Sequence, residues 1–579
     1  MKNINKKSAE RFEHLKVLYK SALICAEDTF DKLERHEAQY RASTELDGSA
    51  QSAGTVRNIT YEIIESEICS DIPSPKVESV CYSEKREKNA RSVERLCNAV
   101  RARLPFESMN DIDERYTYIY GASIWYVEWD NDDSYGKDVG GVRVHCISPM
   151  SFIPQPGVCS VEDMDYCFLR LTTTKSELIS KYGINEDELS LAEFEYEYGG
   201  EYHDCDTVNV VIAFWRDEER RIGKSVFSGD LLISDTPDYY SRKIRVCTMC
   251  GRTDTECKCG GETKSVKIEL ERIGAGKLIP DANGEIEIAY YTPRSFPIVV
   301  RKNTQSSPSL YGLSDCEQIR YQQQAINKIE TRILQKLLRS GITPVMPEDS
   351  SVSLNNAIFG QVIKMKPGES VDQYGKIDMT PDISQDIDEA DRLYEQARRI
   401  MGISDALVGG DTVSSESGYA KRLKILQASG RLQSKRQMKY LAYSEIYRLI
   451  FEHFLAFADE VCPLSYKDGF GEVHDDCFNK YDFIERDSDG EYAYYDGYLF
   501  SVDLNGGSEY LREELWERNL ANLKAGTLGD AESPATLLRY WQSQEKAHYP
   551  FARENVEYFK AIVEEATKKE REREKNNEN

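Results

Sequence analysis

Histidine is scarce in this chain: seven are spread over 579 residues, His14, His36, His145, His203, His453, His474 and His548. None stands at a spacing that pairs it with a second histidine or a nucleophile, so no acid–base centre is legible. Long apolar runs are missing as well. Nowhere do roughly 18 apolar residues follow one another, which excludes an ordinary membrane-spanning helix. The start, Met1 to Lys7, leads into charged residues instead of an apolar signal segment, and the expectation is a soluble, unexported protein. Basic residues are the third shortage, with 74 Lys and Arg against 100 Asp and Glu and a formal charge of −26. Phosphates would be repelled by most of such a surface. A protein that coats nucleic acid by bulk attraction is therefore excluded, and any DNA contact must be local.

Enzyme signatures are incomplete wherever they begin. Gly274-Ala275-Gly276-Lys277-Leu278 ends like a phosphate-binding loop, yet Glu271 stands where the first glycine belongs and Leu278 replaces the Ser or Thr that holds magnesium. His36-Glu37-Ala38-Gln39-Tyr40 opens like a zinc-protease helix but lacks the second histidine one turn on. The many carboxylates could mimic a two-metal nuclease, and an acidic surface explains them more simply. The chain is read as a non-enzyme.

What is present is enough apolar material for real cores: 40% hydrophobic beside 30% charged residues. By length the chain should divide into about four compact units, fewer if some elements are long helices. Of 15 cysteines, most stand singly, which predicts buried thiols in a reducing compartment. Four are clustered as Cys247-Thr248-Met249-Cys250-Gly251 and Cys257-Lys258-Cys259-Gly260-Gly261. Zinc needs four thiolates in tetrahedral array from short turns relieved by glycine, and this CxxCG…CxCG pattern supplies them. The expected site is structural, with Cys247, Cys250, Cys257 and Cys259 as ligands. Thiols clustered in a loop, or a disulfide pair, are the alternatives.

Periodicity predicts helix over 8–40, a loop over 45–54 and helix again over 83–103. Strand formers then take over: Tyr118-Ile119-Tyr120, Ser123 to Trp129, and the stretches 142–147, 208–215 and 266–270. An α+β domain with a substantial sheet is expected up to about 313. Ser314 can cap a helix whose apolar residues Ile319, Ile326, Ile329, Ile333 and Leu337 run on to Arg339, about 39 Å at 1.5 Å per residue. A Pro- and Gly-rich stretch with short β pieces fills 342–380, and a second helix over 381–401 opens acidic and closes on Arg398 and Arg399, as the helix dipole favours. A Gly/Ser-rich loop over 408–418 precedes a helix over 419–458. Between Ser417 and Ser444 there is no acidic residue, while Lys421, Arg422, Lys424, Arg431, Lys435, Arg436 and Lys439 all fall there. That stretch is the best local candidate for a phosphate-facing surface, the alternative being a solvated face paired with acidic neighbours. Asp487-Ser488-Asp489-Gly490 marks a hairpin between 481–485 and 492–502. Short helices are expected over 511–524, 534–546 and 553–565, then a charged, frayed tail over 568–579.

The order of these features resembles the portal proteins of tailed bacteriophages. The strings that carry the resemblance lie between about 296 and 430: Ser295-Phe296-Pro297-Ile298-Val299-Val300, then Tyr311-Gly312-Leu313-Ser314-Asp315, then Gln322 to Asn327 on the long helix, and Ser414-Ser415-Glu416-Ser417-Gly418-Tyr419-Ala420. In that family a strand, a helix start, a Gln/Asn-bearing helix and a second helix start follow in this order. Their order carries the resemblance, over about a quarter of the chain.

The resemblance implies a multidomain α+β portal fold. Residues 1–313 would be a wing, with 246–263 as a zinc-knuckle-like excursion that the family does not explain. Residues 314–340 and 382–402 would be stem helices, 341–381 a small β clip and 403–418 a tunnel loop. The long helix and a returning part of the wing would fill 419–507, and a helical crown with a charged tail 508–579. It implies a ring, commonly of twelve copies, at the head vertex, where double-stranded DNA passes in and out without sequence specificity. Terminase, a head–tail adaptor and the capsid and scaffold proteins are the implied partners. Two amphipathic helices joined by a β excursion cannot bury their apolar stripes on each other alone, and neighbouring subunits would cover them. Lys328, Arg332, Lys336 and Arg339 on the first stem helix, and Lys421, Arg422 and Lys424 on the long helix behind the tunnel loop, are candidates to face the channel. The alternative is salt bridges between subunits, to Asp388, Asp391 and Glu395. A zinc-ribbon protein that processes nucleic acid is the competing function.

Overall fold

A computed structural model describes residues 6–43, 57–131, 140–182, 184, 192–194, 207–240, 245–247, 263–265, 291–305, 309–339, 342–345, 370, 372, 375–378, 381–403, 418–458, 461–467, 473–486, 492–502, 509–546, 549, 552, 554–556, 558–563, 565 and 566. The chain forms a mixed α+β, multidomain structure that divides into two compact units. The first takes Met1–Asp31, Ile68–Leu313 and Gln433–Asn579; the second takes Lys32–Glu67 and Ser314–Leu432.

The two larger sheets of the first unit are antiparallel. Phe152–Pro154, Tyr166–Thr174, Thr207–Arg216, Ile222–Ser228 and Leu231–Thr236 pair in that order, and Ala122–Asp130 runs between Ile298–Lys302 and Gly141–Ile147. Ala122–Asp130 is buried on both faces because successive side chains point opposite ways into two apolar surroundings. Trp125 lies between Phe106 and Tyr443, at ring distances of 6.2 and 5.6 Å, whereas Tyr126 meets Phe214 of the larger sheet at 5.9 Å. The far face of that sheet is closed by the helix Lys6–Tyr40, whose Phe12, Leu15 and Ala22 pack on Phe168, Val211 and Phe227.

Tyr118-Ile119-Tyr120, expected as strand, form the last turn of a helix over Phe106–Tyr120. Helical burial of Met109, Asn110, Asp113, Glu114 and Thr117 overrides their β-propensity, and Gly121, at φ 86, ends the helix by donating to the Thr117 carbonyl. A second correction concerns the hairpin. Ile484–Arg486 pairs with Tyr492–Tyr494, but Lys480–Phe483 is a 3-10 turn, and Tyr498–Val502 pairs with Pro75–Ser79 instead. Cys25, Cys81 and Cys477 are exposed, against the expectation of buried thiols, while Cys97, Cys167, Cys316 and Cys462 are buried.

The second unit is helical. Ser314 caps the turn Asp315–Gln318 by accepting from the Cys316 amide, and the long helix then runs over Arg320–Arg339. The single helix expected from 314 is broken at Ile319, which leaves helical geometry and enters the core. The 20 helical residues that follow span about 30 Å. Ile342–Val345 pairs antiparallel with Gly375–Asp378, and a return helix, Ser384–Met401, ends on Gly402 at φ 80. Ile319 and Ile326 meet Leu393, Ala397 and Met401 in a core completed by Ile59 and Ile63 of the helix Ile59–Glu67. The expected loop over 45–54, all but Gly418 of the expected loop over 408–418, the strand over 266–270, the β piece over 360–365 and the tail over 568–579 lie outside the described residues, and Gly418 begins the helix that follows.

Candidate nucleic-acid interface

Arg332 and Lys336 are one helical turn apart on Arg320–Arg339, and both side chains reach the carboxylate of Asp386 in the first turn of Ser384–Met401. The Lys336 hydrogen bond and the Arg332 contact hold the Asp386 carboxyl below the usual carboxylate range, against the smaller effect of burial. Two cations thus share one anion, which leaves the cluster formally positive. Asp391 is engaged by Arg57 at 3.2 Å and Glu395 by Arg398 at 3.6 Å, so the acid that meets the row within the chain is Asp386, which the sequence reading had not singled out as its partner. Lys328 is exposed, and the side chain of Arg339 lies outside the described residues.

The second basic stretch is less uniform than its sequence. The helix Gly418–Phe457 is continuous, but the side chains of Lys421, Arg422, Lys424 and Arg431 lie outside the described residues. Lys435 stands over the Tyr118 ring at 4.9 Å. Lys439 is turned into the core, where it donates to the carbonyls of Cys69 and Asp71 and lies 3.1 Å from Glu114. It is therefore removed from the phosphate-facing candidates. A one-signed run on a helix cannot keep every member outside when one side of that helix carries Ala442, Tyr443, Ile446 and Tyr447 into the core.

Lys439 completes a buried charge cluster for which the sequence offered no signal. Arg301 is buried between Asp113 and Glu114, and the same Asp113 accepts from Ser123 and from the Trp125 indole at 2.7 Å. Burial opposes ionisation of Glu114, but the charges of Arg301 and Lys439, with the Cys69 amide, hold its carboxyl below the usual range. The cluster has two cations and two anions, with no access for a ligand, and its role is to join the helix Phe106–Tyr120, the strand Ile298–Lys302 and the long helix.

The residues that carried the family resemblance have physical duties in the chain. Gly312 donates to the Gly121 carbonyl at 3.1 Å, and a side chain there would meet that oxygen at 2.8 Å and the Thr304 carbonyl at 2.9 Å. Close backbone approach requires glycine. Phe296 is buried, and the Pro297 carbonyl accepts from Val127 at 3.0 Å. Gln323 uses both ends of its amide: Oε1 accepts from the Thr60 amide and hydroxyl, and Nε2 donates to the Arg57 carbonyl and Asn327.

Cys247 ends the strand Arg245–Cys247, which pairs with Thr263–Ser265 in a register that sets Cys247 opposite Thr263. These strands bracket 248–262, the segment that contains Cys250, Cys257 and Cys259, all outside the described residues. Four thiols at this spacing suit the tetrahedral chemistry of zinc. Among the described residues, no group of three or more His, Cys, Asp or Glu could hold a metal ion, and no helix is long and apolar enough to cross a membrane. No protein-family model matches the chain, and no curated protein matches it.

Proposed function

We propose that this chain is a portal protein of a tailed bacteriophage, one subunit of a ring at the head vertex through which double-stranded DNA is packaged and ejected. The observation that carries the reading is the helix, two-stranded β excursion and return helix of the second unit, entered at the Gly312–Ser314 joint and followed by the helix from Gly418. Support comes also from apolar side chains left exposed on both helices: Tyr321, Leu334 and Leu338 on the first, Ile387 and Ile400 on the second. A neighbouring copy would cover them, and closed symmetry supplies that neighbour to every subunit. In a ring, the positive cluster of Arg332, Lys336 and Asp386 becomes a circle able to meet phosphates without reading sequence.

The proposal assigns no turnover to the chain. Its partners are further copies of itself, commonly twelve, then terminase during packaging, a head–tail adaptor afterwards, and the capsid and scaffold proteins around the vertex. It is assembled in the bacterial cytoplasm and resides in the virion. Zinc, held by Cys247, Cys250, Cys257 and Cys259, is structural.

Negative-stain electron microscopy of the purified full-length protein, with native mass and zinc content taken on the same sample, tests this. Rings with a central hole are expected, with about one zinc per chain. A uniform monomer at every concentration and salt, with metal-dependent activity on DNA, would put the zinc-ribbon processing protein in its place.

A further inference from the structure

The strands Thr207–Arg216 and Ile222–Ser228 are joined by a tight turn in which the Arg221 amide donates to the Asp217 carboxylate at 2.7 Å and the Arg220 amide to the Asp217 carbonyl at 2.9 Å. That turn holds Arg220 at φ 60, in the left-handed region where glycine is at ease and a residue with a side chain is strained. Strain kept at a surface turn points to a use for the side chain that bears it.

Arg220 reaches the wall of an open cavity of about 390 Å³ in the first unit, which also holds the guanidinium groups of Arg216, Arg294 and Arg448. Arg448 is satisfied by Glu445, Glu452 and the Ser295 hydroxyl. Arg216 is fixed by the carbonyls of Met164 at 3.0 Å and Arg294 at 2.7 Å, and lies 4.7 Å over the Phe296 ring. Those contacts orient the Arg216 group without neutralising it. Among the described residues no carboxylate lies within ion-pair distance of Arg216, and no hydrogen bond or ion pair engages the exposed side chains of Arg220 and Arg294. Burial first, and then the charge of Arg220, lower the Arg216 pKa, with Asp165 acting in the opposite direction. With Glu162 and Glu445 as the carboxylates on the wall, four cations face two anions. In a chain of charge −26 this is a local inversion.

We propose that this cavity binds a phosphate-type oxyanion, either free phosphate or the phosphate of a mononucleotide, between the side chains of Arg216, Arg220 and Arg294. The planar fork of a guanidinium matches two phosphate oxygens at once, and three such forks with one of them already oriented suit a tetrahedral anion. The site does not depend on the ring.

The test is calorimetric titration of the full-length protein with inorganic phosphate and, separately, with AMP, at matched ionic strength. Saturable binding is expected, weakened tenfold or more in both R220G and R294Q. Glycine suits the backbone at 220, so the R220G protein should melt no lower than the parent, and its loss of affinity reads the guanidinium alone. AMP bound at least tenfold tighter than phosphate identifies a nucleotide as the ligand; equal affinities identify free phosphate. No saturable binding of either anion by the parent overturns the proposal, as does undiminished binding in both variants. A DNA duplex that binds through Arg220 and Arg294 while neither small anion does also overturns it, and makes the cavity a DNA contact.

Discussion

Both units set an arginine and a lysine against carboxylates, and they do it in opposite ways. In the first unit Arg301 and Lys439 meet Asp113 and Glu114 with every side chain no more than 3% exposed, two charges against two. In the second, Arg332 is 58% and Lys336 36% exposed over a single Asp386. The inner cluster is neutral and fixed, and its charges are available to nothing but each other. The outer one keeps a surplus positive charge in water, where attraction is screened and weak within the chain but open to a partner. A charge left uncompensated at the surface stays free to act on another molecule.

Substituting Arg301 by Met breaks the comparison on its inner side and carries the largest expected effect. It strands two buried carboxylates beside one lysine, and the loss should be about 3–5 kcal/mol in denaturant unfolding. A loss under about 1 kcal/mol would mean that water reaches the cluster.

Next in size is the pH response of Glu452, also in the first unit. Burial raises its carboxyl to about 7, against the opposing charge of Arg448, while Asp496 and Glu445 add to the rise. A raised folded pKa gives stability that is complete below the unfolded value near 4.5 and lost as pH climbs through 7. The swing is on the order of 3 kcal/mol. E452Q should remove that decline from melting curves taken between pH 4.5 and 8. Neighbouring His453, lowered to about 4 by burial, acts in the other direction, losing stability as pH falls through 4. The difference between parent and variant is therefore the readout, and parallel curves would show that Glu452 is ionised throughout.

The smallest effect sharpens the outer side. Asp386 itself is buried, but both its partners are partly exposed and screened by solvent, so D386N should leave the melting midpoint nearly unchanged. If Arg332 and Lys336 meet DNA in an assembled ring, the same change frees both cations and should strengthen the salt-dependent retention of duplex DNA by that ring. A fall in the melting midpoint as large as that of the Arg301 variant would instead make Asp386 a structural residue.

The elements with a strong period were legible in the sequence. The helices Lys6–Tyr40, Glu84–Arg103 and Gly418–Phe457, and the strands Ala122–Asp130 and Thr207–Arg216, fall within a few residues of expectation. Tyr118 to Tyr120 were misread because local β-propensity carries no information about the helical face formed by Asp113, Glu114 and Thr117. Lys439 was misread because a charge run says nothing about which member a distant carboxylate will capture. Arg332 and Lys336 could be placed on one helix, yet the identity of Asp386 as their shared partner required the return helix to be folded beside them. The Arg216, Arg220 and Arg294 cavity left no trace in sequence, since its wall is drawn from four separate stretches and the informative feature, the φ of Arg220, is conformational.

Lys439 has a further consequence in time. Its ammonium donates to the Cys69 carbonyl, a residue 370 positions earlier in the chain. At a synthesis rate of about 5–20 residues per second, Glu114 and its neighbours leave the ribosome roughly 16–65 s before the lysine that balances them. Throughout that interval the nascent first unit holds a carboxylate that cannot be buried at full strength. The unit should stay open to chaperones and proteases until the long helix is made, and a chain terminated before it should be degraded instead of accumulating as a smaller folded product.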